Sequence, residues 1–287
     1  MKIETALARF LTQLEADGRS PYTIDQYRRQ IGHLVGFFGA RGVESLTHED
    51  IARYLASPSA RTRLDGTPKK ATSMNVRRSC VRTFFGYVHQ AGYTTNNPAR
   101  LVRRALCGTA PPRTLSPDEQ ARLLKAIATA KGPQARRDHM LFHLMLATGI
   151  RLGSALALDV GAVDLGRAEL RIERTKGNRP EVVFLGRAVR AHLRRYLKGR
   201  GPGFLFEGRG GNLLCGRQAQ RRLEIWLEEA RIGRRVSPHS LRHAFATDLY
   251  RRSGDLFLVK EALRHRSIAS TTVYAALDRH RLRKAMA

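Results

Sequence analysis

Two residues near the start of a predicted helix could hold a phosphate group. Ser237 and Pro238 are typical of a helix beginning, with a capping side chain followed by a proline at the first helical position. His239 and Arg242 then lie three residues apart on one helix face, in the first turns, where free N–H groups and the helix dipole favour an anion. An imidazole and a forked guanidinium there would bind a phosphate. A surface helix of an arginine-rich protein would show the same pair.

Four further residues could add to such a site, although each has an ordinary explanation when taken alone. Arg151 closely follows Gly149 at a predicted helix end, where a solvated arginine is the usual case. Lys176 lies at the tip of a predicted hairpin, where lysines are usually exposed. His265 ends another predicted helix, and Tyr274 follows nine residues later, at a position where a tyrosine is more often half-buried in a core.

The order and spacing of these residues together resemble the tyrosine recombinases of the phage integrase family. The resemblance covers the family's first-arginine box, hairpin lysine, His-x-x-Arg box, Leu-x-His motif and Ser-Thr-Thr-x-x-Tyr segment, which correspond here to residues 148–151, 175–178, 238–243, 263–265 and 270–274. It extends more loosely to residues 20–27, which look like part of the family's core-binding domain. Six residues in matching order make the combined signal far more specific than any one of its parts.

The resemblance implies that Tyr274 attacks a DNA phosphate, forms a 3′-phosphotyrosine and releases a 5′-hydroxyl. The other catalytic residues that it implies are Arg151 and Arg242 for charge on the non-bridging oxygens, His239 as general base, Lys176 as general acid for the leaving oxygen, and His265 as a hydrogen-bond donor to the phosphate. Such a reaction needs no metal, because side-chain cations take the place of Mg²⁺. It needs no ATP, because the phosphotyrosine conserves the energy of the phosphodiester. We therefore expect no cofactor.

Two positions depart from the family's pattern. Ser154 stands where the family commonly has an acidic residue, three positions after the first arginine, so Arg151 would be supported differently here. Arg264 stands where the family has the glycine of Leu-Gly-His, and it places a bulky cation beside the predicted pocket. Neither departure removes a predicted catalytic residue.

The composition points to the same kind of partner. Lys and Arg number 52 against 24 Asp and Glu, which gives a net charge of +28. A polyanion relieves such self-repulsion, and neutralising phosphates releases counterions, although arginine-rich coding alone could also produce a basic surface. The three scattered cysteines predict neither a disulfide framework nor a zinc site. We expect a cytoplasmic protein, since no apolar leader and no apolar run of about 18 residues is present.

The elements that must position these residues fall into two predicted domains. Hydrophobic periodicity over residues 1–106 predicts helices, among them one over 68–91 and a short one over 97–106, without a convincing strand. The proline-containing segment 107–113 is the predicted linker. Residues 114–287 are predicted to be mainly helical with one β-hairpin. The fold class is thus mainly α with a small antiparallel β-sheet, and the resemblance makes the two parts a helical core-binding domain and a tyrosine recombinase catalytic domain.

The predicted partner is double-stranded DNA with inverted-repeat sites. The resemblance implies that a homo-tetramer binds two such sites when they are synapsed, whereas the free protein could be a monomer. The helix over 68–91 carries cations that could face a DNA groove or simply form a solvated flank: Lys69, Lys70, Arg77, Arg78 and Arg82.

Two other functions stay open, namely a DNA-binding protein that keeps the fold without the chemistry, and a DNA-relaxing enzyme of the type IB topoisomerase kind. The intact catalytic set favours an enzyme, and the small first domain favours a recombinase. The lack of an added arm-binding domain favours a Xer-like or transposon-borne enzyme.

Overall fold

The structure is a computed structural model that describes residues 1–108, 114–173, 181–264 and 271–275. The chain divides into two compact units, Met1–Thr109 and Ala110–Ala287. The described residues are mostly helical with one small antiparallel sheet, which confirms the predicted fold class. Within those residues, no helix is both long enough and apolar enough to span a bilayer.

The first unit is built from helices whose ends follow from local capping. Its α-helices among the described residues are α1 Ile3–Ala16, α2 Pro21–Phe38, α3 His48–Ala56, α4 Pro58–Arg61 and α5 Ala71–Gln90. The Ser20 hydroxyl accepts the N–H of Thr23 just before α2, and Thr47 and Asp50 cap α3 reciprocally. The predicted buried side of α5 is confirmed, because it packs into the core through Met74, Val81, Phe84, Phe85 and Val88.

The predicted short helix over 97–106 is wrong. Residues 98–101 form a turn, and the chain then runs without regular structure to residue 108. The buried side chain of Asn75 accepts the N–H of Ala105 at 2.8 Å and donates to the carbonyl of Ala105 at 2.9 Å. These two bonds satisfy the backbone of an irregular segment, and they replace the bonds that a helix would have supplied.

The second unit is organised around one central helix. Its α-helices among the described residues are α6 Pro117–Thr129, α7 Pro133–Thr148, α8 Leu152–Leu156, α9 Arg187–Leu197, α10 Gly216–Glu229, α11 Pro238–Ser253, α12 Leu256–Leu263 and α13 Thr272–Ala275. Helix α7 packs against α6, α9 and α11. Near its start, the buried carboxylate of Asp138 accepts hydrogen bonds from Arg137 and, on α10, from Arg222 and Trp226. This network fixes α7 and α10 to each other.

The sheet contains the predicted β-hairpin and one short strand that was not predicted. Its antiparallel order is β1 Val163–Asp164, β2 Glu169–Ile172 and β3 Glu181–Phe184. Leu170 pairs with Val183, so the hairpin prediction is confirmed. Strand β1 has only two residues, which is too short to produce an alternating pattern. The predicted turn with Lys176 lies outside the described residues.

Candidate active site

A single glycine lets three helices approach one another at the site. Gly149 ends α7 with φ of +64°, and its N–H donates to the carbonyl of Met145. A Cβ at this position would collide with the ring of Phe245 on α11 and lie 3.0 Å from Leu263 Cδ2 on α12. Both the left-handed backbone and the close approach therefore require glycine. The chain then reaches Arg151, which is exposed and occupies the N-cap position of α8.

We expect Gly149→Ala to destabilise the second unit by about 2–4 kcal/mol, because it adds left-handed strain and overpacking. Cleavage of DNA should fall with it, since the glycine holds the ends of α7 and α12 together. Thermal unfolding of the full chain measures the first effect. The matched control is Gly153→Ala within α8, where a Cβ meets no atom within 4 Å. There alanine should be neutral or stabilising by roughly 0.5–1 kcal/mol. Equal effects of the two substitutions would contradict this account of Gly149.

Arg242 is a buried cation held by main-chain carbonyls. Arg242 is only 4% exposed, and its guanidinium donates to the carbonyl of Gly149 at 2.6 Å and to the carbonyl of Leu263. These are the carbonyls at the ends of α7 and α12. Burial, helped by the positive charge of Arg151, lowers the pKa of Arg242 to about 10, so it stays charged at neutral pH. A guanidinium has five N–H donors, so these two bonds leave donors that an anion could use.

His239 lies in the first turn of α11. The helix start is fixed by Ser240, whose hydroxyl accepts the N–H of Ser237 at 3.2 Å. Partial burial lowers the pKa of His239, and the positive charges of Arg242 and Arg151 lower it further. The ring is therefore neutral at neutral pH, which is the form that can accept a proton.

Tyr274 lies on α13 and is buried in this state. It is 1% exposed and belongs to an apolar cluster with Ala246, Val259 and Leu263. Its hydroxyl oxygen lies 2.8 Å from Nδ1 of His243. Burial raises the pKa of Tyr274 to about 12, although the charge of Arg242 acts in the opposite direction. The phenol is thus protonated at neutral pH, and it lies within hydrogen-bond distance of the His243 ring.

His243 was not among the predicted catalytic residues. It directly follows Arg242, and its ring centroid lies 4.7 Å from that of His239. The spacing of four residues that places both rings on one face of α11 was visible in the sequence. No local pattern in the sequence links His243 to Tyr274, which lies 31 residues later.

Four of the predicted residues share one region of the second unit. Arg151, His239, Arg242 and Tyr274 gather around the first half of α11, close enough for their charges to affect one another's pKa values. The remaining two, Lys176 and His265, lie outside the described residues. Two guanidiniums, a neutral imidazole and a phenol at one place form a set that can bind a phosphate and deliver an oxygen nucleophile to it.

Comparison with known families agrees with this chemistry. Residues 113–281 match the phage integrase family, and residues 7–92 match the phage integrase N-terminal SAM-like domain. This chain belongs to the phage integrase family. Its catalytic part and its N-terminal helical part are thus both recognised parts of that family.

The relatives of this integrase-family chain place it among the Xer-like tyrosine recombinases, and solved structures share its fold. It is 34% identical to tyrosine recombinase XerC of Chromobacterium violaceum over 98% of this chain and 93% of the relative. A lambda integrase (75–356) dimer bound to a COC′ core site has the same fold, with a TM-score of 0.75, 19% identity and coverage of 93% and 96%. XerH bound to a palindromic difH substrate in a post-cleavage complex gives a TM-score of 0.74 at 21% identity, covering 96% of this chain and 84% of that one.

In the N-terminal part of this integrase-family chain, one predicted DNA-contact residue needs correction. Arg77 is only 2% exposed, and its guanidinium donates to the side chain of Gln30 and to the carbonyl of Ala60. Its guanidinium faces partners on α2 and α4 inside the first unit, so we do not propose it as a contact with DNA. The sequence placed Arg77 on a basic flank, but α5 turns it towards α2 and α4.

The other four predicted cations stay nearer the surface. Lys70 and Arg82 are exposed, whereas Lys69 and Arg78 are half-buried. Lys69 donates to the carbonyl of Ala60, and Arg78 donates to the side chain of Asn75. These four remain candidates for contact with DNA.

Proposed function

We propose that this chain is a site-specific recombinase in which Tyr274 forms a covalent 3′-phosphotyrosine bond with DNA. The observation that carries the proposal is the position of Arg242. Its buried guanidinium lies beside Arg151 and near the phenol of Tyr274, and its hydrogen bonds to Gly149 and Leu263 leave its charge unneutralised. A buried cation of this kind would stabilise the additional negative charge of a phosphoryl transition state more strongly than a solvated one.

In the proposed cleavage step, side chains of this protein make every proton transfer and stabilise the charge, so the step uses no metal. The phenolic oxygen of Tyr274 bonds to the scissile phosphorus, and the bond from phosphorus to the 5′-oxygen breaks. Neutral His239 takes the proton of the phenol, and Lys176 gives a proton to the departing 5′-oxygen. Arg151, Arg242 and His265 contact the non-bridging oxygens. Attack by a 5′-hydroxyl from another strand reverses these steps and completes the exchange.

Tyr274 must leave its resting position before this reaction. In the described state its hydroxyl faces His243 inside an apolar cluster, where a DNA phosphate could not reach it. We assign His243 a positioning role, in which it holds the protonated phenol until DNA or a neighbouring subunit draws α13 outward. On release, the phenol would pass from His243 towards His239, whose ring is adjacent.

The proposed chemistry and the solved neighbours support a finer proposal for the assembly. Solved neighbours of the same fold include a lambda integrase dimer bound to a core site and XerH bound to a palindromic difH substrate. We propose that residues 1–106 and 114–287 act as core-binding and catalytic domains joined by the segment 107–113. Four such chains would act on two double-stranded sites with inverted repeats, in the cytoplasm. Lys69, Lys70, Arg78 and Arg82 would contact phosphates in the first domain.

A recombination assay on DNA sites that the protein itself selects tests this function. Sites are first selected by trapping covalent adducts from a library of genomic fragments, and two copies are then placed on one supercoiled plasmid. We expect deletion or inversion products from this plasmid and little relaxation of a plasmid without sites. Efficient relaxation of the plasmid without sites would favour a topoisomerase. Binding without any adduct would favour a DNA-binding protein that does not cut.

A further inference from the structure

Three histidines meet where α9 packs against α7, and none of them takes part in the proposed reaction. His139 and His143 are one helical turn apart on α7, and His192 projects from α9. The ring centroids lie 4.5 Å apart for His139 and His192, 5.2 Å for His143 and His192, and 6.2 Å for the two rings on α7. All three residues are half-buried. Because titratable rings fill this contact, the packing of α9 on α7 depends on their protonation.

The closest contact in this cluster limits how many protons it can hold. Nδ1 of His143 lies 2.9 Å from Nδ1 of His192. A neutral imidazole offers one N–H donor and one acceptor nitrogen, whereas an imidazolium offers two donors and no acceptor. The two nitrogens therefore form a hydrogen bond only while at least one ring is neutral. If both rings were charged, two N–H donors would face each other and the bond would be lost.

A cation on α9 adds to the cost of protonation. Burial is the main cause that lowers the pKa of each ring, and the positive charge of Arg195, one turn after His192, lowers each pKa further. Burial together with the charges of His139, His143 and Arg195 lowers the pKa of His192 to about 4. The three rings are therefore neutral at neutral pH.

The carboxylates on the neighbouring elements are already engaged. Asp248 of α11 lines the same cavity as His143, where it accepts a hydrogen bond from Gln120 of α6 at 2.8 Å and pairs with Arg251 at 3.7 Å. On the side of α10, Asp138 is held by the network described above. The other charged residues that line the cavity are cations: Arg187, Arg251 and Arg252. A charged histidine would thus meet mainly positive charge.

We propose that these three histidines form a proton-sensitive joint, which holds α9 against α7 at neutral pH and releases it when the rings are protonated. This joint goes beyond the proposed recombinase function and does not depend on it. Helix α7 ends at Gly149, whose carbonyl holds Arg242, and His143 lies about 9 Å before that glycine along the helix. Release of α9 would therefore loosen the helix that supports the phosphate pocket.

The joint makes the stability of the second unit depend on pH. The pKa values of the three folded rings lie below that of an unfolded histidine, near ~6.5, so the unfolded chain binds more protons as the pH falls. The stabilisation is complete above about pH 6.5 and is lost progressively below it, towards the pKa of about 4 of His192. Between about pH 7 and about pH 5, we expect the thermal midpoint to fall by roughly 5–10 °C more in the unmodified protein than in a protein without the joint.

Fluorescence of Trp226, the single tryptophan of the chain, reports unfolding of the second unit. Trp226 is buried on α10 and donates to Asp138 of α7. His143→Gln and His192→Gln each remove one titratable ring but keep a polar side chain. Each should reduce the fall in thermal midpoint by about 2–5 °C, and the double variant should reduce it most. Groups elsewhere titrate equally in all variants, so their effects cancel in this difference.

His89→Gln is the matched control, because His89 is an exposed histidine of the first unit. It should leave the fall in the Trp226 midpoint unchanged. Equal pH dependence in the unmodified protein and in the His143→Gln/His192→Gln double variant would overturn the joint. So would a His89→Gln effect as large as that of the cluster variants.

Nitrogen NMR of the imidazole rings tests the joint in the unmodified protein, so it decides the matter even where a variant fails to fold. At neutral pH, only one of His143 and His192 should carry a proton on Nδ1. Three rings that all titrate near the ordinary pKa of ~6.5 would contradict the joint.

A metal titration separates protons from metal ions as the ligands of the cluster. Among the residues that the structure describes, no group of three or more His, Cys, Asp or Glu side chains is arranged to hold a metal ion. Addition of Zn²⁺ at neutral pH should therefore not raise the midpoint of the unmodified protein. A rise that disappears in His143→Gln and in His192→Gln would make the cluster a metal site and would overturn the proposed joint.

Discussion

Tyr274→Phe is expected to abolish the covalent protein–DNA adduct on a suicide substrate while DNA binding is retained. The substitution removes the oxygen that the proposed mechanism uses as nucleophile, but it keeps the ring that fills the cluster with Ala246, Val259 and Leu263. It also removes the hydrogen bond with His243, at a cost of about 1 kcal/mol in the free energy of unfolding. Denaturing gels of the reaction detect the adduct as labelled DNA of reduced mobility, and a mobility-shift assay measures binding.

Tyr250→Phe is the matched control for this experiment. Tyr250 is a half-buried tyrosine of α11 that packs against the same apolar cluster as Tyr274. Loss of its phenolic oxygen should leave adduct formation unchanged, because the family motif places the nucleophile in residues 270–274. An adduct that persists in Tyr274→Phe, together with its loss in Tyr250→Phe, would move the nucleophile to α11.

Arg242→Lys is expected to lower the single-turnover cleavage rate by more than ~10²-fold, because it removes forked donors at the developing charge of the transition state. Lysine keeps the positive charge, so binding to DNA should persist. A single ammonium cannot span the carbonyls of Gly149 and Leu263 and also reach a phosphate. Arg242→Ala should reduce cleavage at least as much. It also leaves two buried carbonyls without this donor, which costs about 1–3 kcal/mol for each. For that reason the lysine variant is the more informative of the two.

Arg251→Ala provides the comparison for charge alone. Arg251 is exposed on the same helix, where it pairs with Asp248 at 3.7 Å, so its removal subtracts one cation without touching the pocket. Its cleavage rate should stay close to that of the unmodified protein. Thermal unfolding of all three variants shows whether each remains folded at the assay temperature. Cleavage by a folded Arg242→Lys variant at a nearly normal rate would contradict the proposed role of Arg242.

Local signals in the sequence were sufficient for most helices. Ser20 before Pro21 and Ser116 followed by Glu119 are capping patterns whose hydrogen bonds form within a few residues, so tertiary contacts do not change them. The end of α7 at Gly149 was also predictable, because helices often end at a glycine with positive φ. The position of Arg242 on α11 also followed from helix periodicity.

The errors arose where partners are distant in the chain. The sequence predicted a helix over 97–106, but the chain there is irregular, and the buried Asn75, some 30 residues earlier, binds the backbone of Ala105. Arg77 shows the same limit, since its partner Gln30 lies 47 residues away. The contact between His243 and Tyr274 spans 31 residues. A single sequence carries no local sign of such pairs.

The carbonyl partners of Arg242 have a consequence for how the pocket can be regulated. A carboxylate partner would cancel the charge of the guanidinium, whereas the two carbonyls satisfy hydrogen bonds and leave the field of the pocket positive. Mutation of neighbouring side chains cannot remove these partners, because every residue type has a carbonyl. Their spacing depends only on how the last turns of α7 and α12 lie relative to each other. Any force that shifts α12 would therefore change the distances of these two hydrogen bonds, and so the position of the guanidinium, through the peptide backbone alone.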